Sequence, residues 1–289
     1  MHFLNLPFTL TGETTAKALA RLQPNNSSNN VLSLRDLEFI DPFGLVLTLS
    51  YLRYLSMVVE RVNLYLPQKD QVLYYLQRSG FLSEAEKYAT LIPSQRLHFL
   101  QHNGEEPWLI PITVMKQEED VADLVVMMMK NMQRMLQNGE KGLSRDQLQI
   151  CTLLSEVCQN VPQHSGDFGM VAAQSYRIKQ TGGRSIHFAI ADLGIGLRGS
   201  LSVHHPVRDW SDEAVIRYAL QLGVSGTNEA GRGLGLTQVV KALERMNGTF
   251  YLRSGNGLYV QNNFREFYYP CGFFPGVQVS LVINTERTQ

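Results

Sequence analysis

The chain has 289 residues, long enough for two domains that each bury a core of their own. Hydrophobic residues at 44% and charged residues at 18% exclude a disordered chain. The 26 basic and 26 acidic side chains cancel, and without a long Lys/Arg run this disfavours nucleic acid as the main partner. Met1 to Pro7 lacks the basic start and apolar core of a signal peptide. The apolar stretch Val121 to Met129 carries Asp123 and is too short to span a bilayer, so no membrane partner is expected and the expected compartment is the cytoplasm. The three cysteines form no C-x-x-C pair, which argues against a disulfide framework and against structural zinc. His204-His205 has no acidic or cysteine neighbours at ligand spacing and reads as a surface loop.

In chain order, Phe3 to Leu10 reads as a strand and Glu13 to Leu22 as a helix with Thr11 as its cap. Asn25 to Asn30 is a polar loop, and Val31 to Ile40 is strand-like toward its ends. Asp41-Pro42-Phe43-Gly44 is a turn in which Asp41 can cap and Pro42 fits the first turn of a heavily apolar helix, Leu45 to Arg61. Val62 to Pro67 alternates like a strand, and Lys69 to Arg78 is a helix closed by Ser79-Gly80. This alternation predicts an α/β layer.

The run Leu34-Arg35-Asp36-Leu37-Glu38-Phe39-Ile40-Asp41-Pro42-Phe43-Gly44-Leu45 resembles the centre of a STAS domain, the fold of anti-sigma factor antagonists. Those domains carry a strand ending in an Asp-Ser-Ser-Gly-type turn whose serine receives phosphate from a partner kinase. Here Pro42 and Phe43 stand at the serine positions, and neither accepts phosphate. An ordinary strand–turn–helix accounts for the same residues.

Pro107 and Pro111 mark the approach to a second domain, and Ile110 to Met115 reads as a strand. Glu118 to Leu136 is an amphipathic, Met-rich helix, more in keeping with core or helix–helix packing than with catalysis. Ser144 to Val161 is the next long helix, with Leu143, Leu148, Cys151, Leu154, Val157 and Cys158 as its broad apolar face. The expected organisation is residues 1–105 as one domain and 106–289 as the other.

Three features of the second domain carry chemistry. Glu156 and Asn160 stand one helical turn apart on one face. An amide oxygen there can help coordinate Mg²⁺, and a carboxylate can orient or deprotonate a water; a solvated polar face is the plain alternative. Ser185 to Asp192 is a buried-looking strand ending in an acid, followed by Leu193-Gly194-Ile195-Gly196. Asp192 can accept from an exocyclic amine while Gly194 and Gly196 let a flat base approach the backbone, although a β-turn favours the same residues. Gly231-Arg232-Gly233-Leu234-Gly235-Leu236 opens a helix at Thr237, which is either an anion cradle or a plain turn.

Taken in order, these three elements resemble the N, G1 and G2 boxes of the GHKL superfamily, which comprises gyrase-type ATPases, Hsp90, histidine kinases, MutL and the anti-sigma serine kinases. The resemblance runs from about Leu143 to the C-terminus. Glu156-Val157-Cys158-Gln159-Asn160-Val161-Pro162-Gln163-His164-Ser165 looks like the family stretch E-L-x-x-N-A-x-x-H-S. Gly248 to Ser254 is similar to the strand after the last box helix, and Pro275 to Leu281 to the closing strand. The resemblance implies a Bergerat fold, a two-layer α/β sandwich with a mixed, largely antiparallel sheet, so that the whole chain is of α/β (α+β) class. It further implies ATP as ligand, with Asn160 on Mg²⁺, Asp192 on the adenine amino group, and Gly194 and Gly196 shaping the base pocket. Gly231, Gly233 and Gly235 would meet the phosphates, with Arg232, Leu234, Leu236 and Thr237 in the same segment, and Gly223 to Ala230 would be a lid. Glu156 matches the water-activating carboxylate of the ATPase branch, and the kinase branch also has an acid there.

Two departures stand out. Pro162, just past Asn160, is expected to shorten or bend the helix. Phe264 to Phe274 is an aromatic insertion, expected to pack locally rather than to form a partner surface. The function expected is an ATP-binding regulatory protein resembling the anti-sigma serine kinases, acting through protein partners. The fusion to a STAS-like domain implies an intramolecular regulatory contact. An ATPase with a conformational cycle and a non-catalytic ATP-binding module are the alternatives, and a homo-oligomer stays open. A histidine kinase is disfavoured because Glu118 to Leu136 contains no histidine.

Overall fold

A computed structural model of the protein describes residues 2–12, 14, 15, 18, 29–94, 109–135, 145–179, 182–221, 235–262 and 265–285. The chain divides into two units, Met1–Glu106 and Pro107–Gln289. Both helices and sheets are present, with one unit built on parallel pairing and the other on antiparallel pairing.

In the first unit, strands β1 (His2–Asn5), β3 (Asn29–Ser33), β5 (Arg61–Tyr65) and β6 (Thr90–Ile92) form a parallel sheet in that order. The short β2 (Thr9–Leu10) and β4 (Phe39–Ile40) pair separately, also in parallel. Parallel neighbours need crossovers, supplied among the described residues by α1 (Pro42–Val58), α2 (Asp70–Arg78) and α3 (Phe81–Ala85). Asp41 caps α1 by accepting from the Gly44 N–H at 2.9 Å. Gly44 is glycine because β2 passes so closely: a Cβ would stand 2.6 Å from the Leu10 carbonyl oxygen. Both Pro42 and Phe43 are buried, so the turn is a packing element. Apolar on nearly every side, α1 is buried on nearly every side.

Several expected bounds shift. Phe3 to Leu10 breaks at Leu6-Pro7 into two strands, and α1 starts at Pro42 while Arg61 belongs to β5. Asn29 and Asn30 lie in β3 rather than in a loop, because both pair with β5 and Asn30 also pairs with β1; Asn30 is buried. Most of the helix expected over Glu13 to Leu22 lies outside the described residues.

The second unit is a five-stranded sheet in the order β10-β11-β9-β8-β7, built from β7 (Leu109–Met115), β8 (Gly169–Arg177), β9 (Arg184–Asp192), β10 (Thr249–Asn262) and β11 (Arg265–Thr285). Every described pairing is antiparallel, in keeping with the expected largely antiparallel sheet, and the parallel part of the expected mixture does not occur among the described residues. The reason is local: β8 with β9 and β10 with β11 are each joined by a short connection, which reverses the chain. Helices α4 (Glu118–Met135), α5 (Arg145–Asn160) and α8 (Gly235–Arg245) cover one face. Val121, Met128, Leu154, Cys158, Val239 and Leu243 meet Phe188, Ile190, Phe250 and Leu281 there. Cys151 and Cys158 are buried in this core, whereas Leu148, expected on the same face, is 46% exposed. The α6 (Gly196–Leu201) and α7 (Asp212–Ala219) helices hold a small second cluster around Leu201, Val207 and Val215. From Arg265 onward the aromatic segment is part of β11 and its aromatics divide: Tyr268 and Phe274 pack inward, while Phe267, Tyr269 and Phe273 are exposed, so local packing describes two of these five. Among the described residues no helix is long and apolar enough to cross a membrane.

Candidate functional site

The site begins where α5 ends. Glu156 is exposed on that helix and Asn160 is half-buried at its last residue. Asn160 Nδ2 donates to the Glu156 carbonyl at 3.0 Å, so the amide oxygen is the branch turned away from the helix backbone. Pro162 has no N–H to continue the ladder, and its ring pushes aside the carbonyl four residues back. The chain accommodates this by widening into a π-helical turn over Val161–Ser165, closed by Gly166 at φ +68°.

That turn delivers Ser165 to the end of β9. The Ser165 carbonyl accepts from the Ile195 N–H at 2.9 Å, and a Cβ on Gly194 would lie 2.0 Å from the same oxygen. Gly194 therefore cannot be any other residue without moving backbone. Nearby, Val161 fills the space where a Cβ on Gly169 would be, at 2.9 Å, and Gly169 is the register partner of Asp192.

Asp192 closes a run of five buried residues and is itself 5% exposed. Its Oδ1 accepts from the Gly194 N–H at 2.8 Å and from the Val277 N–H at 3.3 Å. Its carbonyl accepts from Gln278 Nε2 at 3.3 Å, an amide that also donates to Pro275 O at 2.7 Å. On the far side Gly276, at φ +76°, leaves no room for a side chain, since a Cβ would meet the Asp192 carbonyl oxygen at 2.1 Å. Gly196, at φ +69°, opens α6, and the next N–H, of Leu197, donates to Ser254 Oγ at 3.0 Å. Ser254 in turn donates to the Gly276 carbonyl at 3.1 Å. The acid thus sits in a collar made by the π turn, the Gly194–Gly196 turn and the Pro275-Gly276 kink of β11. Ser254, Gly276 and Gln278 were not singled out from sequence; a Pro-Gly pair inside an apolar strand is the signal that marks such a close approach.

The third element is only partly described. Gly235 starts α8, Leu236 packs against the core, and Thr237 is buried with its hydroxyl donating to the Leu220 carbonyl at 2.9 Å. This helix packs on α5 and β10. Gly231, Arg232, Gly233 and Leu234, and the expected lid at Gly223 to Ala230, lie outside the described residues.

Beside the collar, Arg198 of α6 ties its surroundings together. Its Nε and Nη2 donate to Asp212 Oδ1 at 3.1 and 2.5 Å, and Nη1 donates to the carbonyls of Arg208 at 2.8 Å and of Trp210. Asn256 donates to Asp212 Oδ2 through both its backbone and its side chain, at 2.8 and 3.1 Å. Burial pushes the Asp212 carboxyl up, but the Asn256 bonds and the Arg198 guanidinium together outweigh it and hold the group below its usual range. Sequence patterning did not reveal the helix pair α6–α7; Ser211 followed by Asp212-Glu213 is its N-terminal signature, with Ser211 Oγ accepting from Ala214 N at 3.3 Å.

Among the described residues no group of three or more His, Cys, Asp or Glu side chains could hold a metal ion. The Asn160 amide oxygen is by itself a weak ligand for a hard cation. An ionised Asp192 carboxylate only accepts hydrogen bonds, so a ligand group that it holds must be a donor. No protein-family model matches the chain, and no curated protein matches it.

Proposed function

We propose that the second unit is a nucleotide-binding domain of GHKL type, with a Bergerat-type arrangement, and that the protein is an ATP-binding regulator resembling the anti-sigma serine kinases. One observation carries the reading: Asp192 is buried at a strand end within a collar of glycines that meets, through Ser165, the segment following Asn160. A buried acid with backbone on three sides is suited to an exocyclic amine of a flat base. Asn160 would meet Mg²⁺ through its outward amide oxygen, and Gly231, Arg232, Gly233 and Gly235 would meet the phosphates at the start of α8. The first unit, STAS-like with its phosphoacceptor positions taken by Pro42 and Phe43, would act through contacts with protein partners rather than by accepting phosphate.

Calorimetry with ATP and Mg²⁺ tests this. Saturable binding to the full chain that Asp192→Asn abolishes supports the reading, and no heat for either protein removes it. Glu156 favours a second outcome at the same site, because its exposed position on α5 leaves it accessible to water. Incubation with γ-labelled ATP separates the two: label on a protein supports phosphoryl transfer, and free phosphate lost in Glu156→Ala supports hydrolysis.

A further inference from the structure

Strands β9 and β11 part company at Asp192. Their pairing runs from Thr285, opposite Arg184, to Gln278, opposite Ala191, and stops one residue short of Asp192 and Val277. The kink at Gly276, with φ at +76°, turns β11 away there. Side chains take over from the ladder. The Asp192 carboxylate accepts from the Val277 N–H at 3.3 Å, and the Asp192 carbonyl accepts from Gln278 Nε2 at 3.3 Å. The same nitrogen donates to the Pro275 carbonyl at 2.7 Å. One amide group thus bridges the end of β9 and the kink that forms the far wall of the collar, using both of its N–H donors.

Packing does not account for a glutamine at this position. Gln278 is 0% exposed, and its Oε1 has no hydrogen-bond partner among the described residues. A methionine fills a similar length without stranding a buried acceptor. What methionine lacks is the pair of donors. Their direction is set by their surroundings: both groups at the nitrogen are carbonyl oxygens, so a flipped amide would put oxygen against oxygen. Holding the Asp192 carbonyl fixes the planar peptide unit between Asp192 and Leu193. That plane in turn sets where the Gly194 N–H meets Asp192 Oδ1, at 2.8 Å.

We propose that Gln278 is the positioning residue of the base site: it aims the Asp192 carboxylate through the backbone, and so sets the preference for a base that carries an exocyclic amine. The inference rests on the nucleotide reading of Asp192. Gln278 acts on the backbone side of the acid and leaves the base contact to the carboxylate.

The test compares two ligands by calorimetry on the full chain with Mg²⁺: ATP, and purine riboside 5′-triphosphate, which lacks only the amino group. Their phosphates are identical, so the ratio of the two affinities isolates the amine. Wild type prefers ATP about tenfold or more, the worth of a hydrogen bond to a charged acceptor. In Gln278→Met that preference narrows about fivefold, the worth of roughly one net hydrogen bond, while affinity for the purine analogue stays near wild type. A variant that keeps the full preference, or that loses affinity for both ligands in equal proportion, overturns the inference and leaves Gln278 a structural residue. A wild-type chain that binds neither triphosphate, or both alike, removes the base reading itself and the inference with it. A second measurement needs no variant. In the wild-type chain the assigned side-chain amide resonances of Gln278 shift more on saturation with ATP than with the purine analogue. Equal shifts overturn the inference even if Gln278→Met does not fold.

Discussion

Gly276 and Asp192 meet so closely that a Cβ on the glycine would lie 2.1 Å from the aspartate carbonyl oxygen, and Gly276 holds φ at +76°. Neither constraint can relax alone, because Val277, the next residue, donates to the Asp192 carboxylate.

Gly276→Ala should therefore destabilise the second unit by more than about 2 kcal/mol, combining positive-φ strain with a backbone collision. Gly166 is the control. It has φ +68°, but an added methyl would meet only Ile195 Cγ2, at 4.0 Å, so Gly166→Ala should cost only about 1 kcal/mol. Urea unfolding midpoints of the two variants decide; equal losses would show that the close approach to Asp192 carries no energetic weight.

Asp192→Asn keeps an oxygen that can accept from Gly194 and Val277, and should leave the fold near wild type. Asp192→Ala leaves those two N–H groups without their acceptor and should cost about 1–3 kcal/mol. Thermal melts of both variants separate the turn-forming role of the oxygen from any role of the charge in ligand binding.

Asp212 is held below the usual carboxylate range in the folded state, so the unfolded chain binds its proton more readily. Its contribution is present above the unfolded value, near pH 4, and is lost as pH falls through the lower folded value. In Asp212→Asn the fall in stability below about pH 4 should be shallower than in wild type. Urea midpoints across that range test it; parallel curves would place the acid sensitivity elsewhere.

Leu154 is 1% exposed in the core and Leu148, on the same helix, is 46% exposed. Leu154→Ala should cost about 2–5 kcal/mol, whereas Leu148→Ala should stay within about 0.5 kcal/mol of wild type. Similar losses for both would return Leu148 to the apolar face.

Local chemistry made much of the fold readable. Asp41 and Pro42 announce the start of α1, Ser79-Gly80 closes α2, and Pro162 ends the α-helix after Asn160. These depend on a residue's own dihedrals and donors. The failures are of another kind. Asn29 and Asn30 look like loop but lie between β1 and β5, where long-range pairing overrides polarity. Leu148 has core spacing, yet periodicity does not say how far a neighbouring layer reaches along a helix. Strand neighbours in the second unit, β11 beside β9 for one, were not legible either, since pairing partners are not local information.

By itself the sequence determined that Asp192 ends a strand, that glycines follow it, and that Asn160 and Glu156 share a helical face. Periodicity, capping and backbone permissiveness are short-range properties and can be read within a few residues. Only the tertiary structure decided that Ser165 closes on Gly194, that Gly276 and Ser254 complete the collar, and that Arg253 reaches the Gly272 carbonyl in the bulge of β11. Those relations join residues far apart in the chain and arise from sheet register, where one bulged residue changes which side chains meet.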